Sequence, residues 1–150
     1  MQTLSRRDVL ALGAGGAAVL VTLSDATLAA PAEAAAEIAK FTGGKTAEQG
    51  KISIELPEIA ENGNTIPMSI SVDSPMTANN YVTDILVVAD GNPRPGVATF
   101  HFTSLSGRAT AATRIRLATT ENVIVVAKTS DGKFYTVQKQ VKVTIGGCGG

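Results

Sequence analysis

The sequence predicts an all-β fold, a two-sheet antiparallel sandwich with a short helix before it and a flexible arm after it. Three observations lead there. From Lys51 to Ile145 apolar side chains recur at the two-residue period of half-buried strands. Clusters of Gly, Pro, Asn and Asp break that alternation at short intervals, as strand connections require. Helical signals are confined to one Ala-rich stretch before Gly43. At 150 residues the chain has the length of one domain, and neither a linker nor an internal repeat divides it. A chain of that size buries about two thirds of its unfolded surface, enough for one core without disulfide staples.

Residues 1–32 read as an export leader and stand outside the fold argument. Arg6 and Arg7 precede an apolar stretch from Val9 to Leu23 that Gly13, Gly15 and Gly16 dilute. The stretch is shorter than the roughly 20 apolar residues of a relaxed membrane span. Small residues in Thr27-Leu28-Ala29 and Ala30-Pro31-Ala32 offer cleavage after residue 29 or residue 32. The arginine pair resembles the twin-arginine type of bacterial signal, which carries folded proteins into the periplasm. No lipid-accepting cysteine follows the leader, so no membrane anchor is expected.

The domain is expected over residues 33–145. Glu33 to Phe41 is helical by composition, and Gly43-Gly44 stops it. Its apolar face is small, Ile38 with Phe41, so it must cover a sheet or meet a partner. Ile52, Ile54 and Leu56 then alternate with Lys51, Ser53 and Glu55, and Ile66, Met68, Ile70 and Val72 alternate with Pro67, Ser69 and Ser71. Glu61-Asn62-Gly63-Asn64 reads as the turn between them, and Pro67 assigns the second strand to an edge or bulge. Tyr81 to Ala89 is continuously apolar and suits a strand buried on both faces. It ends at the loop Asp90-Gly91-Asn92-Pro93-Arg94-Pro95-Gly96. Val97 to Phe102, Thr110 to Ala118 and Asn122 to Thr129 continue the series. Asp131-Gly132, read as a tight primed turn, joins the last of these to the strand Phe134 to Ile145. About seven short strands with this spacing indicate an immunoglobulin-like sandwich.

Composition excludes several functions. Lys+Arg and Asp+Glu number 13 each, and aromatic residues make up 4%, so the chain offers neither a positive field nor a stacking platform for nucleic acid. One His and one Cys cannot supply a tetrahedral zinc site, an iron–sulfur cluster or a disulfide. His101 falls on the strand face opposite Ala98, Phe100 and Phe102 and reads as a surface or interface histidine. Arg114 and Arg116 share one strand face and suit an anion or plain solvent equally. Glu55, Glu58 and Glu61 flank Pro57 and form no helical row. No catalytic residue and no metal site is assigned.

The chemistry concentrates in residues 146–150: Gly146, Gly147, Cys148, Gly149 and Gly150. Four glycines leave nothing to pack, and the segment is expected to be a flexible carrier arm. Cys148 is the chain's one cysteine, and export would carry it to an oxidising compartment where a lone thiol is avoided or used. A thiol titrating at about 8.5 is only a few per cent thiolate at neutral pH, and no cation adjoins Cys148 in sequence to activate it. Activation would come from an enzyme active site that the arm enters. Disulfide-type chemistry lets such a thiol carry sulfur species reversibly.

The ending Val141-Lys142-Val143-Thr144-Ile145-Gly146-Gly147-Cys148-Gly149-Gly150 resembles the C-terminus of the SoxY family, sulfur-carrying subunits of the bacterial thiosulfate-oxidising system. The segments Asp73-Ser74-Pro75-Met76-Thr77, Ala89-Asp90-Gly91-Asn92-Pro93, Ala98-Thr99-Phe100-His101-Phe102 and Arg114-Ile115-Arg116-Leu117-Ala118 resemble it too. The resemblance spans roughly Lys51 to Gly150. It implies a periplasmic carrier, not an enzyme, with Cys148 as the attachment point and no cofactor beyond the covalently bound sulfur. It implies a heterodimer with a SoxZ-like subunit. The enzymes acting on the carrier would be the c-type cytochrome SoxAX, the hydrolase SoxB and, where present, the sulfane dehydrogenase SoxCD. Two alternatives remain open on the residues alone. One is an exported structural sandwich whose terminal cysteine crosslinks chains; the other is a sulfur carrier activated at the Gly149-Gly150 carboxylate, which the export leader opposes.

Overall fold

The computed structural model describes residues 29–147. Arg6 and Arg7 with most of the expected leader, and Cys148, Gly149 and Gly150, lie outside the described residues. The helix α1 spans Ala29–Thr42, so it begins before the second of the two expected cleavage points. Pro31 is accommodated in its first turn, where its missing N–H costs nothing. At the other end Gly43 and Gly44 take φ of 63° and 78°, and the Gly44 N–H donates to the Ala39 carbonyl at 3.0 Å. That closes the helix as the glycine pair predicts.

Among the described residues nine strands follow: β1 Glu48–Gln49, β2 Ile52–Glu55, β3 Ile59–Asn62, β4 Ile66–Val72, β5 Val82–Ala89, β6 Gly96–His101, β7 Ala109–Ile115, β8 Glu121–Thr129 and β9 Phe134–Ile145. They form a sandwich of a six-stranded sheet, ordered β1-β9-β8-β5-β6 with β3 also on β9, and a three-stranded sheet, β2-β4-β7. The seven expected strands are all present. The two additional ones, β1 and β3, pair in parallel with the outer edge of β9 at residues 135–136 and 142–145, so the sandwich is not purely antiparallel. They escape a reading by alternation because β1 has only two residues, both exposed, and β3 carries its one large apolar residue, Ile59, outward at 61% exposure. Glu61 and Asn62, read as turn residues, belong to β3.

Two further details differ from the sequence reading. Pro67 lies in the central strand of the smaller sheet and not at its edge. It faces Arg114 of β7 but lies beyond the last pair that β2 makes with β4, Glu55 with Ser69, so its missing N–H breaks no ladder there. The β8–β9 turn is wider than a two-residue primed turn. Only Gly132 has positive φ, 78°, and its N–H returns to the Thr129 carbonyl at 2.9 Å, the pattern of a turn closed by a left-handed glycine.

The core lies between the sheets, where Ile66, Met68 and Ile70 of β4 meet Ile85 and Val87 of β5 and Val123 and Val125 of β8. A bulge between Val82 and Asp84 resets the alternation of β5, so Val82, Ile85, Val87 and Ala89 face inward. Leu86 and Val88 face the other way, where Ala34, Ile38 and Phe41 of α1 cover them. This explains the continuous apolar run and gives the helix its role of covering a sheet. Phe41 also meets Phe134 edge-on, with ring centroids 6.0 Å apart.

Candidate functional site

The last strand leads to the C-terminal segment. β9 is buried at Phe134, Tyr135 and Val141 and becomes exposed at its end, where Ile145 is 67% accessible. Lys139, on the inward side, donates to the Leu56 carbonyl at 2.7 Å. Beyond Ile145 the chain is not released. The Gly63 N–H donates to the Ile145 carbonyl at 2.8 Å, the Leu117 N–H to the Gly63 carbonyl at 2.9 Å, and the Gly147 N–H to the Leu117 carbonyl at 2.9 Å. Gly147, expected in the free arm, is therefore bonded into the end of the sandwich, and Gly146 is carried between that bond and the one at Ile145. Thr120 adds a further tie, since its hydroxyl accepts from the Val143 N–H at 3.0 Å.

The approach is close enough to require glycine. A Cβ on Gly63 would run into the Leu117 carbonyl oxygen and lie 2.6 Å from the Gly147 nitrogen; one on Gly146 would strike the Ala118 carbonyl oxygen; one on Gly147 would lie 2.8 Å from the Gly63 oxygen. The glycines serve contact here as well as freedom.

The segment that receives the tail is held from behind. Asn92, 1% exposed, donates through Nδ2 to the Arg116 carbonyl at 2.9 Å and accepts at Oδ1 from the Ala118 N–H at 2.8 Å. It thus grips the residues on either side of Leu117. Its own loop is anchored in turn: Asp90 accepts from both the backbone and the side chain of Asn122 at 2.8 Å, and the Gly91 N–H donates to Glu121 Oε2 at 2.6 Å. Glu121 is 3% exposed. Burial pushes its carboxyl above the ordinary carboxylate range, the neighbouring Asp90 charge adds to the rise, and the N–H bonds from Gly91 and Thr119 oppose it.

The other sequence candidates are spread over the sandwich, Arg116 and Glu61 near this end and the rest away from it. His101 is exposed and its Nδ1 lies 2.6 Å from Asp84 Oδ1 across the β5–β6 pair. Arg114 and Arg116 line a cleft of about 260 Å³ together with Arg94, and Arg114 Nη1 donates to Thr65 Oγ1 at 3.5 Å. Among the described residues neither Arg114 nor Arg116 pairs with a carboxylate. Glu55 and Glu61 sit on β2 and β3, with Glu58 just before β3. Among the described residues no three His, Cys, Asp or Glu side chains gather as metal ligands. Cys148 itself lies outside the described residues, one position beyond Gly147. Gly63, Asn92 and Leu117 were not singled out by the sequence: Gly63 and Asn92 have turn composition, and Leu117 reads as a core residue.

Fold and site define a small immunoglobulin-like sandwich that holds Gly146 and Gly147 by backbone contacts at one end. The family described as "Sulfur oxidation protein SoxY" matches residues 38–148. The chain belongs to the SoxY family. The solved structure of the sulfur carrier protein SoxY from Chlorobium limicola f thiosulfatophilum is 32% identical, with 76% of this chain and 98% of that one covered at a TM-score of 0.65. The superoxide reductase (neelaredoxin) from Ignicoccus hospitalis is 16% identical, with 63% and 80% covered at a TM-score of 0.57. The superoxide reductase from Nanoarchaeum equitans is 12% identical, with 64% and 100% covered at 0.54. These two share the fold alone. No curated protein sequence matches the chain.

Proposed function

We propose that this chain is a periplasmic sulfur carrier in which Cys148 covalently holds thiosulfate-derived intermediates for separate enzymes to act on, the chain itself catalysing nothing. One observation carries the reading: the SoxY family match runs to residue 148, the position of the only cysteine in the sequence. The similarity to a protein described as a sulfur carrier supports it.

The chemistry divides between carrier and partners. Joining the outer sulfur of thiosulfate to Cys148 Sγ forms a sulfur–sulfur bond and releases the thiol proton and two electrons. A c-type cytochrome of the SoxAX kind accepts the electrons. A SoxB-like hydrolase then adds water across the sulfur–sulfonate bond and releases sulfate, leaving a persulfide on Cys148. A SoxCD-like dehydrogenase, where present, oxidises that remaining sulfur. A SoxZ-like subunit completes the carrier as a heterodimer. Unpaired edges of β2 and β7 in the smaller sheet and the exposed Ile59, Leu105 and Ile145 support such a partner.

The test is intact-mass measurement of protein from cells oxidising thiosulfate. Wild type is expected to carry an adduct that reductant removes and that Cys148→Ala lacks. A free thiol under every turnover condition overturns the carrier reading, and a Cys148 homodimer without adduct points to crosslinking in its place.

A further inference from the structure

The bonds around Gly63, Leu117 and Gly147 join three stretches of chain that are remote in sequence. Each contact is backbone to backbone, and each glycine is required by approach distance. Asn92 stands behind them. Its side chain is buried with both polar atoms engaged, and its two hydrogen bonds go to the backbone on either side of Leu117, the residue that accepts from Gly147. Removing that amide would take a partner from both the Arg116 carbonyl and the Ala118 N–H in a part-buried segment, a reason for the segment to shift. A chain bonded through Gly147 is held up to the residue next to Cys148 in sequence. From there it has about 3.5 Å of reach per residue, whereas an arm free from Gly146 onward would have the same reach for two residues more.

We propose that Asn92 and Gly63 are positioning residues for the carrier thiol: by clamping Gly146 and Gly147 against Leu117 and Ala118, they fix where and in which direction Cys148 leaves the sandwich. The proposal rests on the carrier reading for its purpose. Enzymes that take the thiol must then meet this end of the domain closely or open the clamp.

Two measurements on the full chain test it without any sulfur chemistry. Amide hydrogen exchange reads the clamp directly: in wild type the Gly147 N–H is expected to exchange at least roughly tenfold more slowly than that of Gly149. Gly63→Ala and Asn92→Ala are expected to abolish that difference while Val125, in the core, keeps its protection. A nitroxide attached to Cys148 is expected to give a narrower spectrum in the same variants. Gly147→Ala, at the chain's end and away from the core, repeats the test where Gly63→Ala or Asn92→Ala disturbs the whole sandwich. Unchanged exchange at residue 147 and an unchanged nitroxide spectrum in a folded variant overturn the clamp, whatever Cys148 carries. Loss of the thiosulfate adduct from wild type would instead overturn the carrier reading and leave these measurements standing.

Discussion

Glu121 shows how a single buried group ties the end of the sandwich to pH. Its carboxyl is held above the ordinary carboxylate range chiefly by burial, so the native state binds its proton more tightly than the unfolded chain. That contribution to stability is complete below the unfolded pKa and is lost as pH rises through the raised native value. Thermal unfolding across pH should therefore show a component that strengthens on acidification through this window, and Glu121→Gln should flatten it. Loss of the component in wild type would mean that the carboxylate is better solvated than its 3% exposure implies. Asp131 acts in the opposite sense: its pKa is lowered by the Thr129 hydroxyl and by Lys133, so its contribution disappears as pH falls. At this scale the sequence revealed Cys148 by its solitude and its glycine neighbours. Asn92 stayed hidden because Asp90-Gly91-Asn92-Pro93 has the composition of any turn, and only its burial separates it from one.

Among the elements, α1 depends most on tertiary contact. Alone it is too short to be stable, and its Ala34, Ile38 and Phe41 gain their value from Leu86 and Val88 beneath them. Phe41→Ala should cost about 2 kcal/mol, less than a fully buried aromatic because the ring is only half-buried, as measured by denaturant unfolding. A change within a few tenths of that unit from zero would show that the helix adds no stability to the sheet it covers. The helix and the seven expected strands were legible because each carries its own period, glycine stop or turn. β1 and β3 carry neither, and they exist as strands because the outer edge of β9 is there to pair with them.

At the scale of the whole molecule, the proposed carrier works in the periplasm with a partner subunit. Replacing Arg6 and Arg7 by lysine should leave precursor in the cytoplasm, as fractionation and immunoblotting would show, whereas unimpaired export would point to the general secretory route. Wild type recovered from the periplasm should sediment as a heterodimer, and a stable monomer there would count against a SoxZ-like partner. The end of the sandwich where Gly147 meets Leu117 is also where Asn92 and Glu121 converge, so disturbance of that loop cluster should be felt first at the C-terminal segment.

The sequence by itself determined the two-layer β architecture, the placement of its principal strands, the glycine stop of α1 and the unique thiol. Those features rest on side-chain identity and short-range periodicity, which a linear reading contains. Only the tertiary structure decided the parallel pairing on β9, the central position of Pro67 and the capture of Gly146 and Gly147. The physical reason is that the deciding contacts are made by peptide N–H and carbonyl groups, which every residue but proline offers alike. Nothing in Gly63, Leu117 or Gly147 as letters says that their backbones meet; the fold brings them within hydrogen-bonding distance, and the absence of side chains at Gly63, Gly146 and Gly147 lets them stay there.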